Sequence, residues 1–143
     1  MEIAQIIAGR ASSEVVTCDV SASVRETVAM LAEKRIGAVP VMEEGKVAGI
    51  FSERDVLYRL AADGAACLDT QVRDVMTAPA ITVEPSTQVI DALALMTRRR
   101  IRHLPVVDGA LMCGFISIGD LVKSRIDEVE HEAEVMREYI QTA

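Results

Sequence analysis

The chain contains two copies of one unit, and this repeat limits its fold more than any other feature. Aligned with itself at an offset of 65 positions, the sequence matches residues 16–60 with 81–125 without a gap. A unit this short has too few strands to form a stable sheet alone, so the two copies are expected to pack together. Identical pairs include Thr17/Thr82, Ser21/Ser86, Val24/Val89, Ala29/Ala94, Arg35/Arg100, Ile36/Ile101, Pro40/Pro105, Val41/Val106, Gly49/Gly114, Ser52/Ser117 and Asp55/Asp120.

Each copy predicts the order β-α-β-β-α. A short strand is expected at 15–18 and at 81–83, and Ser21 or Ser86 suits the N-cap of the helix that follows. Apolar residues at spacings of four and three predict that helix. Two strands around a polar turn come next, and each copy ends in a second helix. These strands are expected at 38–42 and 47–51, then at 104–107 and 112–116, and the final helices begin near Arg54 and Gly119.

The composition is typical of a compact protein with an aliphatic core. Half of the residues are hydrophobic, and only 3% are aromatic. A membrane helix needs about eighteen consecutive apolar residues, and the sequence has no such run. The N-terminus lacks the pattern of a signal peptide. Cys18, Cys67 and Cys113 are scattered and odd in number, which favours reduced thiols, so we expect a cytoplasmic location.

Charge and motifs argue against two classes of function. The formal net charge of −7 makes nucleic acid an unfavourable partner. The sequence contains no phosphate-binding loop, no dinucleotide fingerprint and no nucleophile elbow. The two histidines, His103 and His131, form no cluster with metal-ligand spacing. We therefore expect neither catalysis nor a metal site.

The repeated motifs resemble those of the cystathionine-β-synthase (CBS) domain family, whose tandem pair is called a Bateman module. Arg-Ile-x-x-x-Pro-Val occurs at 35–41 and 100–106. Gly-h-h-Ser-x-x-Asp, in which h is apolar, follows at 49–55 and 114–120. Asp-Val-Met-Thr at 74–77 is similar to the usual linker of the family. The duplicated order of these motifs, over about residues 1–126, carries the resemblance.

The resemblance implies an α+β fold in which two β-α-β-β-α repeats pack pseudo-symmetrically through three-stranded sheets, with a cleft on each side. It divides the chain into a first repeat with an N-terminal helix (1–64), a second repeat (65–126) and an acidic C-terminal helical extension (127–143). Family members bind adenosine-containing ligands in these clefts. AMP is expected first, with ADP, ATP, NAD or S-adenosylmethionine as alternatives.

Ser52 with Asp55, and Ser117 with Asp120, have two interpretations. A serine at the N-cap and an acid in the first helical turn would cap a helix. The carboxylate could also accept hydrogen bonds from ribose hydroxyls, while the hydroxyl and the free amides of the helix start hold a phosphate. The two roles are compatible, and the occurrence of the pair in both copies favours ligand binding.

The resemblance also assigns residues to two sites, because each cleft is expected to draw on both repeats. The first site is expected to carry the phosphate, since the Arg102 guanidinium suits phosphate oxygens. The second lacks a predicted cation and should take a less charged ligand or none. The first site combines Ser52, Arg54, Asp55, Thr77, Ile81, Ile101, Arg102 and His103, and the second combines Ser117, Asp120, Val16, Ile36 and Gly37. A solvated surface pair is the alternative for Arg102 and His103.

Two charged segments lie outside these sites. Arg98, Arg99 and Arg100 are interpreted as cations that close a helix, where they meet the negative end of its dipole. The tail is acidic and repeats apolar residues at steps of four and three, which is typical of a heptad seam. It predicts a helix that pairs with a second copy of the chain, or one that packs on its own domain. The seam consists of Val122, Ile126, Val129, Ala133, Met136 and Ile140.

These patterns favour a homodimeric regulatory module that binds an adenine nucleotide and transmits the signal to an unidentified effector protein. The alternative is a non-catalytic dimeric interaction protein whose clefts no longer bind a ligand. Ile3, Ile6 and Ile7 are expected to form a short helix on the second repeat.

Overall fold

The computed structural model describes residues 1–142 and contains the predicted order of elements in the first copy and, without its first strand, in the second, which confirms the mixed α+β fold. The second helix of the second copy is much longer than its counterpart and forms the C-terminal tail. In chain order the elements are α1 (Ile3–Ile7), β1 (Cys18–Asp19), α2 (Val24–Lys34), β2 (Ala38–Glu43), β3 (Lys46–Ser52), α3 (Glu53–Asp63), α4 (Val89–Arg99), β4 (His103–Asp108), β5 (Leu111–Ser117) and α5 (Ile118–Thr142).

The first strand of each copy is shorter than predicted. β1 has two residues and runs parallel to β2. In the second copy, a single parallel bridge between Val83 and Val106 takes the place of that strand. Each strand begins later than predicted, at Cys18 and at Val83, and a local turn follows it, since the Ser21 amide donates to Asp19 and the Glu84 amide donates to the Thr87 hydroxyl. The sheets therefore have three and two strands, ordered β1-β2-β3 and β4-β5.

The helix that follows begins later than expected. Ser23, not Ser21, is the N-cap of α2, and its hydroxyl accepts from the Glu26 amide at 3.0 Å. In the second copy Gln88 stands at the N-cap of α4 and provides no side-chain cap. Ser21 does not cap α2 because its amide and its hydroxyl both donate to Asp19 in the turn before the helix. The turn before the helix decides which residue becomes the N-cap, and a sequence pattern locates the start of a helix only to within one or two residues.

Each repeat encloses its own aliphatic core, and α1 belongs to the second core. Ile3 is fully buried there, which confirms that the N-terminal helix packs on the second repeat. The first core contains Val20, Val24, Leu31, Val39, Val41, Phe51, Val72 and Val75. The second contains Ile3, Val83, Val89, Ala92, Met96, Leu104, Val106, Ile116 and Leu121.

The segment before each repeat pairs with the other repeat. The N-terminus does so through the Ile3 amide, which donates to the Thr87 carbonyl at 2.9 Å. The linker returns to the first repeat, where Thr77 and Ile50 exchange two backbone hydrogen bonds of 2.9 and 3.0 Å. These crossed hydrogen bonds join the two repeats and bring the linker beside the start of α3.

Two equivalent glycines permit this crossing. A Cβ on Gly49 would lie 2.6 Å from the Thr77 carbonyl oxygen and 2.9 Å from the Met76 sulfur. A Cβ on Gly114 would lie 2.9 Å from Cγ2 of Ile7. The linker therefore packs on β3 at the position where the N-terminal segment packs on β5. Each segment comes so close to its strand that only glycine fits at that position of the strand.

The tail forms one continuous helix, as the acidic extension at 127–143 predicts, although Ala143 lies outside the described residues. Leu121 is buried against the second core, whereas the heptad seam faces solvent. Seam exposure ranges from 43% at Val122 to 67% at Ile140, with Ala133 intermediate. The seam therefore does not pack on its own domain.

Substitution of Gly49, Gly114 and Gly119 by alanine should show how much the close approach of the linker and of the N-terminal segment depends on glycine. Gly49→Ala should destabilise the protein by about 1–3 kcal/mol, because the added methyl meets backbone that cannot rotate away. Gly114→Ala should have a smaller effect, since only the Ile7 side chain must move. Gly119→Ala is the matched control, because its nearest neighbour is Ser117 Oγ at 3.6 Å and alanine favours a helix. Urea denaturation measures all three, and equal stability of Gly49→Ala and Gly119→Ala would contradict the close approach.

Candidate functional site

A cavity of about 340 Å³ lies between the two repeats, where the start of α3, the linker and the start of β4 meet. Its size suits a small molecule. All eight residues predicted for the first site line it: Ser52, Arg54, Asp55, Thr77, Ile81, Ile101, Arg102 and His103. Its lining also includes Gly37, Ala38, Ile50, Glu53, Tyr58, Pro79 and Arg100.

The carboxylate of Asp55 is held in place by the helix start and by the linker. Its Oδ2 accepts from the Ser52 amide at 2.9 Å and from the Ser52 hydroxyl at 3.0 Å. Its Oδ1 accepts from the Thr77 hydroxyl at 2.8 Å. The capping role predicted for Ser52 and Asp55 is therefore present. Each carboxylate oxygen can accept about two hydrogen bonds, which leaves Oδ1 with capacity for one more.

Three arginines line the same cavity. Arg54 and Arg102 were expected there, but Arg100 was assigned only to closing a helix. Arg100 does end α4, in the left-handed conformation with φ 56°, and its carbonyl accepts from Arg54 Nη1 at 3.3 Å. The ion pairs found within residues 1–142 do not involve Arg102. Against the carboxylates of Glu53 and Asp55, the three guanidiniums leave this cavity with an excess of positive charge.

The amides of α3 contribute less to anion binding than the sequence suggested. The Glu53 amide donates to the Gly37 carbonyl at 2.9 Å. The Asp55 amide donates to the Ser52 hydroxyl at 3.3 Å. Two of the first three amides of the helix are therefore already paired, so an anion in this cavity would depend mainly on the arginines.

His103 lies between this cavity and a second one, and lines both. Its ring stacks on Phe115, with the centroids 5.4 Å apart and the planes 10° from parallel. Burial and the positive charge of Arg102 lower the pKa of His103 below its ordinary value of 6.5, although Asp120 and Glu53 oppose this. The imidazole is therefore neutral at pH 7.

Apolar groups form the rest of the first cavity. Ile81 and Ile101 were predicted, whereas Tyr58 and Pro79 were not. Tyr58 is 65% exposed and lies one helical turn after Arg54, so it borders the opening. In the sequence, Tyr58 has no feature that distinguishes it from other exposed residues of a helix. It becomes part of a cavity only because the linker packs beside α3.

The second cavity, of about 320 Å³, lies on the opposite side of His103. Four of the five residues predicted for it are present: Val16, Ile36, Ser117 and Asp120. Gly37 is not among its lining residues and faces the first cavity instead. The assignment of Gly37 to the second cleft is wrong because Gly37 lies against the start of α3, where its carbonyl accepts from the Glu53 amide, and Ile36 and Ala38 line the second cavity from the same segment.

The prediction that the second cleft lacks a cation is also wrong. Arg10, from the N-terminal segment, lines it and grips Asp120 with both terminal nitrogens, at 3.1 and 3.3 Å. The Ser117 amide donates to the same carboxylate at 2.9 Å. Arg10 lies outside the repeated motifs, and no sequence signal links it to a residue 110 positions away.

These contacts set the charge of Asp120. Burial alone would raise its pKa, but the hydrogen bonds and charge of Arg10 and the Ser117 hydrogen bonds outweigh it, so the pKa is lowered from 3.8. Asp120 therefore stays ionised and paired at neutral pH. Asp55, at the equivalent position, meets a neutral hydroxyl where Asp120 meets a cation.

Within residues 1–142, no helix is long and apolar enough to cross a membrane. The same part of the chain contains no group of His, Cys, Asp and Glu side chains that could hold a metal ion.

The fold and the clefts define a class of protein, a tandem-repeat α+β module with a cavity between its halves. A family model described as "CBS domain" matches residues 3–62 and 72–127. The chain therefore belongs to the CBS-domain family, as its repeated motifs suggest.

Relatives of known sequence are similar over most of the chain. The CBS domain-containing protein YhcV of Bacillus subtilis is 30% identical over 115 residues, which cover 80% of this chain and 81% of YhcV. The mitochondrial CBS domain-containing protein CBSX3 of Arabidopsis thaliana is 37% identical over 129 residues. That match covers 87% of this chain but 63% of CBSX3, so the chain spans less than two thirds of that relative.

Solved structures are similar in fold. A CBS-domain protein from Burkholderia ambifaria is 40% identical, with a TM-score of 0.81, covering 89% of this chain and 95% of the other. CBSX2, solved in complex with AMP, is 25% identical, with a TM-score of 0.75, covering 88% of this chain and 96% of the other.

The stability of the protein should fall with pH below about 6.5 because of His103. Its pKa is lower in the folded state, so the unfolded chain binds a proton more readily as the pH drops through that window. Above the ordinary value both states carry a neutral ring, and the effect vanishes. His103→Phe, which keeps a ring on Phe115, should show a smaller loss of unfolding free energy between pH 7.5 and pH 5.5. Urea denaturation of both proteins at each pH is the measurement, and identical losses would contradict the lowered pKa.

Proposed function

We propose that the first cavity binds an adenine nucleotide, with AMP first and ADP, ATP or NAD as alternatives. One observation carries this proposal: an anchored carboxylate, Asp55, shares a cavity between the repeats with Arg54, Arg100 and Arg102. A carboxylate that retains acceptor capacity suits ribose, and guanidiniums suit phosphate. The AMP complex of the similar protein CBSX2 supports the same class of ligand.

The contacts on Asp55 suggest how ribose would be held. One ribose hydroxyl donates to Oδ1, which receives only the Thr77 hydroxyl. The Thr77 oxygen can accept from the other ribose hydroxyl, because a threonine hydroxyl is both donor and acceptor. The adenine ring would lie among the isoleucines, and the phosphate would face Arg102.

The proposed action is regulatory. Since both repeats line the cavity, a nucleotide that binds there favours one arrangement of the repeats over others. We propose that the response passes to an effector protein, that the module works as a homodimer in the cytoplasm, and that it catalyses no reaction. The rival function is an interaction protein whose clefts stay empty at any nucleotide concentration.

The second cavity would contribute little in this state. Arg10 is paired with Asp120, the carboxylate that corresponds to Asp55, and the Asp120 side chain is only 28% exposed. A ribose would therefore have to break this ion pair to reach Asp120. Arg10 itself is engaged and unavailable to a phosphate. We propose that the second cleft stays empty while this pair is formed, and that an uncharged ligand enters only when it opens.

Two equivalent substitutions test the assignment of the nucleotide. Asp55→Ala should abolish AMP binding, whereas Asp120→Ala, which removes the matching cap in the other repeat, should leave it within about twofold. Arg102→Ala should weaken AMP binding about 10-fold or more, because a charge-assisted hydrogen bond is lost. Isothermal titration calorimetry gives the affinities.

The controls separate binding from folding. Both aspartate variants lose the carboxylate of a capping box and keep its serine, so similar thermal denaturation of the two shows that a difference in binding is not a folding defect. AMP binding by Asp55→Ala that equals the parent would refute the site. Absence of any thermal shift with AMP, ADP, ATP or NAD in the parent protein would favour the interaction protein.

Release of Asp120 should open the second cleft. Arg10→Gln removes the ion pair, and adenosine bound at saturation should rise from about one to about two molecules per chain. Arg25→Gln is the matched control, since it removes an ion pair with Asp69 and one positive charge at a distance from both cavities. Equilibrium dialysis measures the bound adenosine. An unchanged ratio in Arg10→Gln would show that Arg10 does not close the cleft.

A further inference from the structure

The tail helix presents an apolar face that its own domain does not cover. The seam residues form one stripe along α5. Five of the six are between 43% and 67% exposed. Tyr139 and Val135, which border the stripe, are 70% and 51% exposed. Scattered apolar residues are normal on a surface, but a contiguous stripe marks an interaction site.

The helix also needs a partner for its own stability. Ile118 and Leu121 attach the first turn of α5 to the second core. From residue 129 to 142 nearly every residue is exposed. A helical segment as short as residues 129–142 is only marginally stable in water without tertiary packing. Burial of the stripe against another helix would supply that packing.

The heptad assigns each charged neighbour of the stripe to a flanking position. With Ile126, Ala133 and Ile140 at a, and Val122, Val129 and Met136 at d, five charged residues flank the stripe. Arg125 and Glu132 are at g, and Lys123, Glu130 and Arg137 are at e.

The charges match for two parallel copies. In a parallel pair, each g residue faces the e residue five positions later on the other helix. Arg125 then faces Glu130 of the second copy, and Glu132 faces Arg137 of the second copy. Twofold symmetry repeats both pairs, so all four contacts between charged flanking residues join opposite charges, and Lys123 faces the uncharged Ile118 of the second copy.

The antiparallel pairing that aligns the whole stripe has the opposite result. It brings e beside e and g beside g, so Glu130 meets Glu130 and Glu132 meets Glu132 of the second copy. Lys123 would then meet Arg137. Like charges in direct apposition disfavour a pairing. The helix is acidic overall, yet only the parallel pairing places its positive residues where they offset the negative ones.

We propose that α5 pairs with α5 of a second copy as a parallel, in-register two-stranded coiled coil. This deepens the proposal of a homodimer and does not depend on nucleotide binding. Arg125 is free to join, because its present partner is Glu128 on the same helix, at 3.2 Å, and the Arg125 side chain is 43% exposed. A pair so exposed contributes little and is readily exchanged.

Cysteine cross-linking tests the register directly. In a parallel, in-register pair, position 136 of one chain faces position 136 of the other. Met136→Cys should therefore form an intermolecular disulfide under mild oxidation. Glu134→Cys, on the outer face, is the matched control and should not. The parent protein, with Cys18, Cys67 and Cys113, is the blank. Equal cross-linking at 134 and 136, or none at 136, would overturn the proposal.

A charge exchange tests the flanking pairs. Glu132→Arg and Arg137→Glu should each raise the dissociation constant of the dimer about 3- to 10-fold, and the double variant should restore it. Sedimentation equilibrium gives the constants. A monomeric parent at every concentration would point to a helix of another protein on this face and would overturn the proposal. AMP binding, measured in the same variants, should be unchanged, so failure here is distinct from failure of the nucleotide site.

Discussion

The approach of the linker to Gly49 is the contact on which the rest of the structure depends. Thr77 pairs with Ile50 across this gap, and its side chain then reaches Asp55. The same crossing carries the chain on to Ile81, which lines the first cavity. Without it, the Thr77 hydroxyl would not reach Asp55, and Thr77 and Ile81 would not line the cavity.

The two halves are similar in backbone but differ where a ligand would bind. Both hairpins have the same register, with Val39 opposite Phe51 and Leu104 opposite Ile116. Their clefts diverge because the crossing segments differ. The linker brings a neutral hydroxyl to Asp55, whereas the N-terminal segment brings the Arg10 guanidinium to Asp120. One carboxylate keeps acceptor capacity for a ligand, and the other is neutralised by its own chain.

Most residues of the first cavity were predicted from the repeated motifs, whereas two arginines that line the clefts were missed, one inside a motif and one outside the repeat. Ser52, Asp55 and Thr77 meet as expected, because each belongs to a motif with a defined place in the repeat. Arg100 and Arg10 were missed for different reasons. Arg100 caps a helix and lines a cavity at once, and sequence reasoning stopped at the first role. Arg10 depends on a contact across 110 positions, which no local pattern records.

The sequence by itself determined the duplication, the order of elements and the apolar stripe of the tail, because these follow from periodicity and from residue types that recur at a constant offset. Tertiary structure alone decided which segment covers which repeat, and hence which carboxylate is free. That choice rests on steric room at Gly49 and Gly114 and on distances between residues far apart in the chain. Such distances are set only when both cores have formed, since each core includes residues from the segment that precedes the other repeat.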